Sequence, residues 1–224
     1  MMRSRLAGYV ALCAFALAFG YIEAMVVVYL REIVMQEAAL RGTTAFAGLR
    51  VTEIVLPDRY VRLEIVREAC TMVLLAAGGW LAGRGFRDRS GAFLLSFGVW
   101  DLMYYAVLNI VEHWPASLKD WDILFLIPVP WVAPVWAPVL IAAIFVVAGS
   151  YMFLTPQRVR RYGRADAVAF ATAALIIISS FVQDSAAATD HRVPESFSVL
   201  LYAAGVALGL AWFVRIERRR VGLP

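Results

Sequence analysis

The sequence predicts an all-α, polytopic membrane bundle of six transmembrane helices, and three observations lead there. Of its 224 residues, 62% are hydrophobic and only 17% charged, where soluble domains hold roughly 45–50% apolar residues; the mean hydropathy is +0.73. Six apolar stretches recur, at 6–30, 61–83, 91–111, 134–154, 167–182 and 197–214. At about 1.5 Å per residue most of them span the roughly 30 Å of a hydrocarbon layer. Arginines then divide the loops into two kinds. Arg3 and Arg5 precede the first stretch, Arg84, Arg87 and Arg89 follow the second, Arg158, Arg160, Arg161 and Arg164 follow the fourth, and Arg215, Arg218, Arg219 and Arg220 follow the sixth. The short loops of the other side, 112–122 and 183–195, hold only Lys119 and Arg192. The positive-inside rule places the arginine-rich side, and with it both termini, in the cytoplasm of a bacterial inner membrane. The partition predicts one integral domain over 1–224.

Span 1 runs on for 25 apolar residues after Arg5 with no polar cleavage region, so it is expected to be a retained anchor and not a cleaved signal peptide. The connection that follows is mixed in charge. Its first part, REIVMQEAALRG (31–42), has helical spacing with Gly42 as a stop, which predicts a short helix lying on the outer surface.

Span 2 carries its own polar stripe. The uninterrupted apolar part, 69–83, has 15 residues, about 22 Å of helix, and is too short to cross alone. The crossing must therefore take in Glu68 and Arg67, and on the same logic Glu64. Glu64, Arg67, Glu68 and Thr71 sit at i, i+3, i+4 and i+7, one face of a helix. Span 3 repeats the pattern with Asp101, Tyr104, Tyr105, Leu108 and Glu112, which puts Asp101 about mid-bilayer at the bottom of an aromatic and acidic stripe. Span 1 adds Glu23. A carboxylate at a helix centre costs roughly 2.5–3.5 kcal/mol on insertion scales, so Glu23, Glu64, Glu68 and Asp101 are expected to converge on one inward-facing chamber in the outer half of the bundle.

The fourth apolar run spans 123–154, longer than one untilted crossing, and holds Pro128, Pro130, Pro134 and Pro138 in its first half. Proline breaks the helical ladder. Residues 121–130 are therefore expected at the outer interface or as a re-entrant segment, with the helix starting between Pro134 and Pro138. The preceding stretch, 112–122, brings Asp120 and Asp122, which would either extend the site as a lid or cap an interfacial helix. Spans 5 and 6 carry no embedded acid, and no internal repeat is evident. Trp114, Trp121, Trp131 and Trp136 mark the outer boundary, Trp80 and Trp212 the inner one, and Trp100 alone sits deep beside Asp101.

These features exclude several chemistries. Net charge +4 follows from the topology arginines, which lack the interleaved aromatics of a nucleic-acid face. Neither histidine lies inside a span: His113 and His191 are expected at the surface, which argues against bis-histidine haem. Cys13 and Cys70 make no metal spacing and read as packing residues, so zinc is disfavoured. There is no HExxH, GxSxG or P-loop. Glu23, Glu64, Glu68 and Asp101 suit at most a hard cation, Mg²⁺, Ca²⁺ or Mn²⁺.

Three functions fit. The acids with Arg67, Tyr104 and Tyr105 would bind or transport a cation or polar small molecule, Asp101 and Glu68 accepting the proton or cation. Alternatively, Asp101 or Glu68 would be the general acid of an enzyme acting on a lipid or isoprenoid-like substrate. In the third reading the polar stripe is covered by a partner subunit, and the chain is an accessory component of a membrane complex.

Overall fold

A computed structural model of the chain describes residues 2–40, 58–155, 162–190 and 194–218. The expectations for Gly42, for arginines 158, 160, 161, 192, 219 and 220, and for His191 fall outside the described residues. Six helices are long and apolar enough to cross a membrane: α1 (Met2–Leu40), α2 (Asp58–Ala82), α3 (Phe86–Glu112), α4 (Trp136–Leu154), α5 (Arg164–Phe181) and α7 (Val199–Arg218), with a single turn α6 (Ser185–Thr189) between the last two. The chain is thus a multi-pass helical membrane protein.

Two expectations need correction. No separate surface helix follows span 1, because residues 31–40 continue α1 without a break. The segment between Leu30 and Leu40 has no glycine or proline to stop a helix, and it adds an i,i+4 hydrogen bond from Gln36 to Glu32 at 2.9 Å. At 39 residues α1 is about 58 Å long, well beyond the hydrocarbon thickness.

The second correction concerns the proline-rich segment alone and leaves the all-α bundle standing. The proline-rich segment forms an antiparallel hairpin of β1 (Trp121–Phe125) and β2 (Trp131–Pro134), pairing Asp122 with Ala133 and Ile123 with Val132, with an irregularity before Phe125. Pro128 and Pro130 fall in the connection between the strands, where no ladder N–H is required. Pro138 falls in the first turn of α4, where a missing N–H costs nothing. The helix begins at Trp136, inside the 134–138 window that the prolines imply.

Helix α3 is the centre of the bundle, packed on α4, α1 and α2, while α5 pairs with α7 and meets the rest through β2. Gly91 and Gly98 of α3 and Gly149 of α4 bring these two backbones into direct contact. Small residues are how helices approach closely in a membrane, where lipid is as apolar as any side chain. One end of the bundle is tied by charge. Arg5 of α1 reaches Asp88 at 3.3 Å and the Phe153 carbonyl at 2.8 Å; Arg87 of α3 binds Glu217 of α7 at 3.2 Å and the Met152 carbonyl at 2.6 Å. At this end, too, the Arg89 guanidinium lies 3.5 Å over the exposed Trp80 ring. At the opposite end His113 closes α3 in the left-handed conformation (φ 54°), and its side chain is exposed.

Candidate functional site

A chamber of about 830 Å³ lies between α1, α2 and α3 on one side and the hairpin, α4 and α5 on the other. All seven residues singled out from the sequence, Glu23, Glu64, Arg67, Glu68, Asp101, Tyr104 and Tyr105, line it. They form two groups. In the first, on α1 and α2, Arg67 donates to Glu23 and, at 2.6 Å, to Glu64, while the Thr71 hydroxyl donates to the other oxygen of Glu23 at 3.2 Å. Glu68 faces the hairpin, and its carboxylate accepts the Leu126 N–H at 2.9 Å. The helical spacing of these residues explains the arrangement: one turn of α2 aims Glu64, Arg67 and Glu68 to the same side, and Glu23, buried on α1, meets them.

The second group belongs to α3 and the hairpin. Tyr104 and Tyr105 pack edge to face, ring centroids 5.1 Å apart. The Tyr105 hydroxyl does not satisfy Asp101; it donates to Asp122 at 2.8 Å. Among the described residues, Asp101 has no hydrogen-bond or ion-pair partner, and no side chain of the first group bonds to Asp101, Tyr104, Tyr105 or Asp122. Asp101 is therefore a carboxyl inside a span, half-buried on the chamber wall, with its polar demand unmet by protein.

Arg31 is a chamber residue that sequence reasoning missed as a site group, and Asp122 is one that it left open between extending the site and capping a helix. Asp122 is 2% exposed on β1, and its other oxygen accepts the Ile123 N–H at 2.9 Å. Its neighbour Asp120 takes the structural role, accepting the N–H groups of Ala116 and Ser117 at 2.8 and 3.1 Å, so the two acids of that segment separate, one to the loop and one to the chamber. Arg31, far along α1, pairs with Glu112 at 3.6 Å and lies 4.8 Å over the Trp114 ring.

Burial pushes the Asp122 carboxyl up from 3.8 to about 6, against the opposing pull of the Tyr105 hydroxyl, the Arg31 charge and the Ile123 N–H. The folded protein then keeps a proton that the unfolded chain has lost, so stability falls as pH rises from about 4 to about 6, by roughly 3 kcal/mol across the window. Asp122→Asn is expected to flatten that slope in detergent-solubilised protein and to be at least as stable as the parent at neutral pH. Parallel melting-temperature profiles for the two proteins would contradict this.

The rest of the wall is apolar and largely aromatic. Phe97 stacks edge to face with Trp100 and with Phe145 of α4, at 5.4 and 5.7 Å; Trp131 of β2 meets Phe181 of α5 at 6.2 Å, and Ile177 completes that side. Among the described residues, no three His, Cys, Asp or Glu side chains are grouped as metal ligands. Glu23 and Glu64 instead share Arg67, and Glu68 takes a backbone N–H. No family model, curated protein or solved structure matches the chain.

Proposed function

We propose that this membrane protein binds an amphipathic, lipid-like molecule in the chamber. The observation that carries the reading is the two-part lining: carboxylates, arginines and tyrosines on one portion of a single cavity, aromatic and aliphatic side chains on the other. The acids alone would suit a cation or a polar solute, but such a ligand leaves the wall of Phe97, Phe145, Ile177 and Phe181 without a role. An apolar chain against that wall gains about 25 cal/mol per Å² only when it comes from water. For a ligand taken from the bilayer, the aromatic wall supplies shape, and the polar group supplies selectivity.

Asp101 would meet a hydrogen-bond donor on the ligand's polar portion. Glu23, Glu64, Arg67 and Glu68 would form the opposite face of that subsite, with Tyr104 and Tyr105 positioning the group. If the bound molecule undergoes chemistry, Asp101 and Glu68 are the residues to exchange its proton. Entry would be lateral, between α2 and α5, which flank the chamber while each packs on other partners. The arginine distribution supports a bacterial inner-membrane orientation with both termini cytoplasmic, so that the hairpin end is extracytoplasmic.

Native mass spectrometry from mild detergent tests this. The parent protein is expected to carry a copurifying lipid-like mass, and Asp101→Asn, folded to the same extent, to lose it. Retention of that mass by the variant, or a parent protein that carries only a metal ion, would overturn the reading. A larger assembly surviving detergent would instead support the accessory-subunit alternative.

A further inference from the structure

We infer that Arg31 is the seat of an oxyanion, so that the chamber's ligand is a phosphate- or carboxylate-bearing lipid and not a neutral or purely cationic one. The inference rests on the amphiphile-binding reading above and adds the chemistry of the polar group. Arg31 lines the chamber with only 11% of its side chain exposed, yet its Nε and Nη2 have no hydrogen-bond partner among the described residues. Its one ion-pair contact among the described residues is Nη1 to Glu112, long at 3.6 Å, on a side chain that is 29% exposed.

A guanidinium presents its donors in a planar fork that matches an oxyanion with two parallel hydrogen bonds. Here the fork's Nε and Nη2 are the vacant pair, while Nη1 and the face of the plane are occupied by Glu112 and the Trp114 ring. The guanidinium is thus held from one edge and one face, leaving the other edge to an acceptor. A buried charged group without partners is costly. Among the described residues no acceptor meets these donors: the nearby buried Asp122 accepts from Tyr105 and Ile123, and Glu68 from Leu126. Two fully buried indole Nε1 atoms of the chamber wall, those of Trp100 and Trp131, also lack partners among the described residues and are also donors, whereas the half-buried Asp101 carboxyl lacks a donor. The unmet demand of these buried nitrogen atoms is for an acceptor, which a neutral hydrocarbon or an ammonium head does not supply.

The test uses the full-length protein in detergent, native mass spectrometry as the readout, and three probes: phosphatidic acid, diacylglycerol with the same acyl chains, and inorganic phosphate. Parent protein is expected to bind phosphatidic acid at least about tenfold more tightly than diacylglycerol. Arg31→Gln should erase that preference by weakening phosphatidic acid alone, and Glu112→Gln should keep it. If Arg31 served only to hold Glu112, the two variants would behave alike, which overturns the inference. Arg31→Lys, which keeps the charge and loses the fork, is expected to recover part of the preference and covers the case in which Arg31→Gln folds poorly. Competition by inorganic phosphate at the same affinity would overturn the lipid part of the assignment and leave the oxyanion seat. Equal binding of both lipids by the parent overturns the oxyanion seat while sparing the amphiphile-binding reading, and binding of neither lipid overturns both.

Discussion

Gly149→Leu is expected to yield little or no folded protein, and Gly149→Ala to lose about 1–3 kcal/mol, the usual cost of overpacking a close contact. A Cβ at this position would fall inside 3.0 Å of the Leu95 backbone N and the Gly91 carbonyl O. Those atoms belong to the α3 backbone, which cannot swing aside as a side-chain tip can. Because α3–α4 is the bundle's most extensive helix pair, separating the two backbones loosens the helix against which α1 and α2 also pack. Gly209→Ala on α7 is the matched control. Its Cβ would meet only the Ala173 methyl at 3.6 Å, an ordinary contact, so the substitution should be neutral or stabilising through helix propensity. Melting temperatures in detergent check the pair: comparable losses at the two glycines would mean that the α3–α4 approach is not what Gly149 serves.

The contrast between these glycines shows what can be read from a membrane sequence and what cannot. The six spans were legible because apolar length and arginine placement are one-dimensional signals, and apart from the ten-residue continuation of α1 the helices end within about five residues of them. The polar stripe of α2 was legible for a related reason: with 15 apolar residues available, the crossing had to include Arg67 and Glu68, and helical geometry fixed Glu64 and Thr71 on their side. The hairpin was not. WDILF and WVAP are short, their alternation is weak, and the prolines between them signal only that no helix continues. The choice between site and cap for Asp122 stayed open for the same reason, since its position depends on the hairpin folding over α3 to meet Tyr105. Arg31 read as the first residue of a separate surface helix, because a polar stretch after 25 apolar residues looks the same whether it turns along the membrane surface or continues α1. Its pairing with Glu112, 81 positions away, is a tertiary fact.

The α1–α2 ion cluster carries the second large effect: Arg67→Met is expected to destabilise the protein by roughly 3–5 kcal/mol, the range for removing one partner of a buried pair. Arg67 is hydrogen-bonded to both Glu23 and Glu64, whose side chains are 9% and 12% exposed, so its loss leaves two carboxylates facing one another with only the Thr71 hydroxyl for support. The penalty comes from the stranded acids more than from the vanished bonds, and this makes it separable. In Glu23→Gln the amide oxygen can still accept from Arg67 while its NH2 donates to the Thr71 hydroxyl, and Arg67 still holds Glu64, so the single change should be mild. The double variant Glu23→Gln with Arg67→Met removes one of the two stranded charges and should be more stable than Arg67→Met alone. A double-mutant cycle on melting in detergent reads the coupling directly. Strict additivity would mean that the cluster is no energetic unit, and that α2, which packs on the bundle chiefly through α3, is held there without the help of charge.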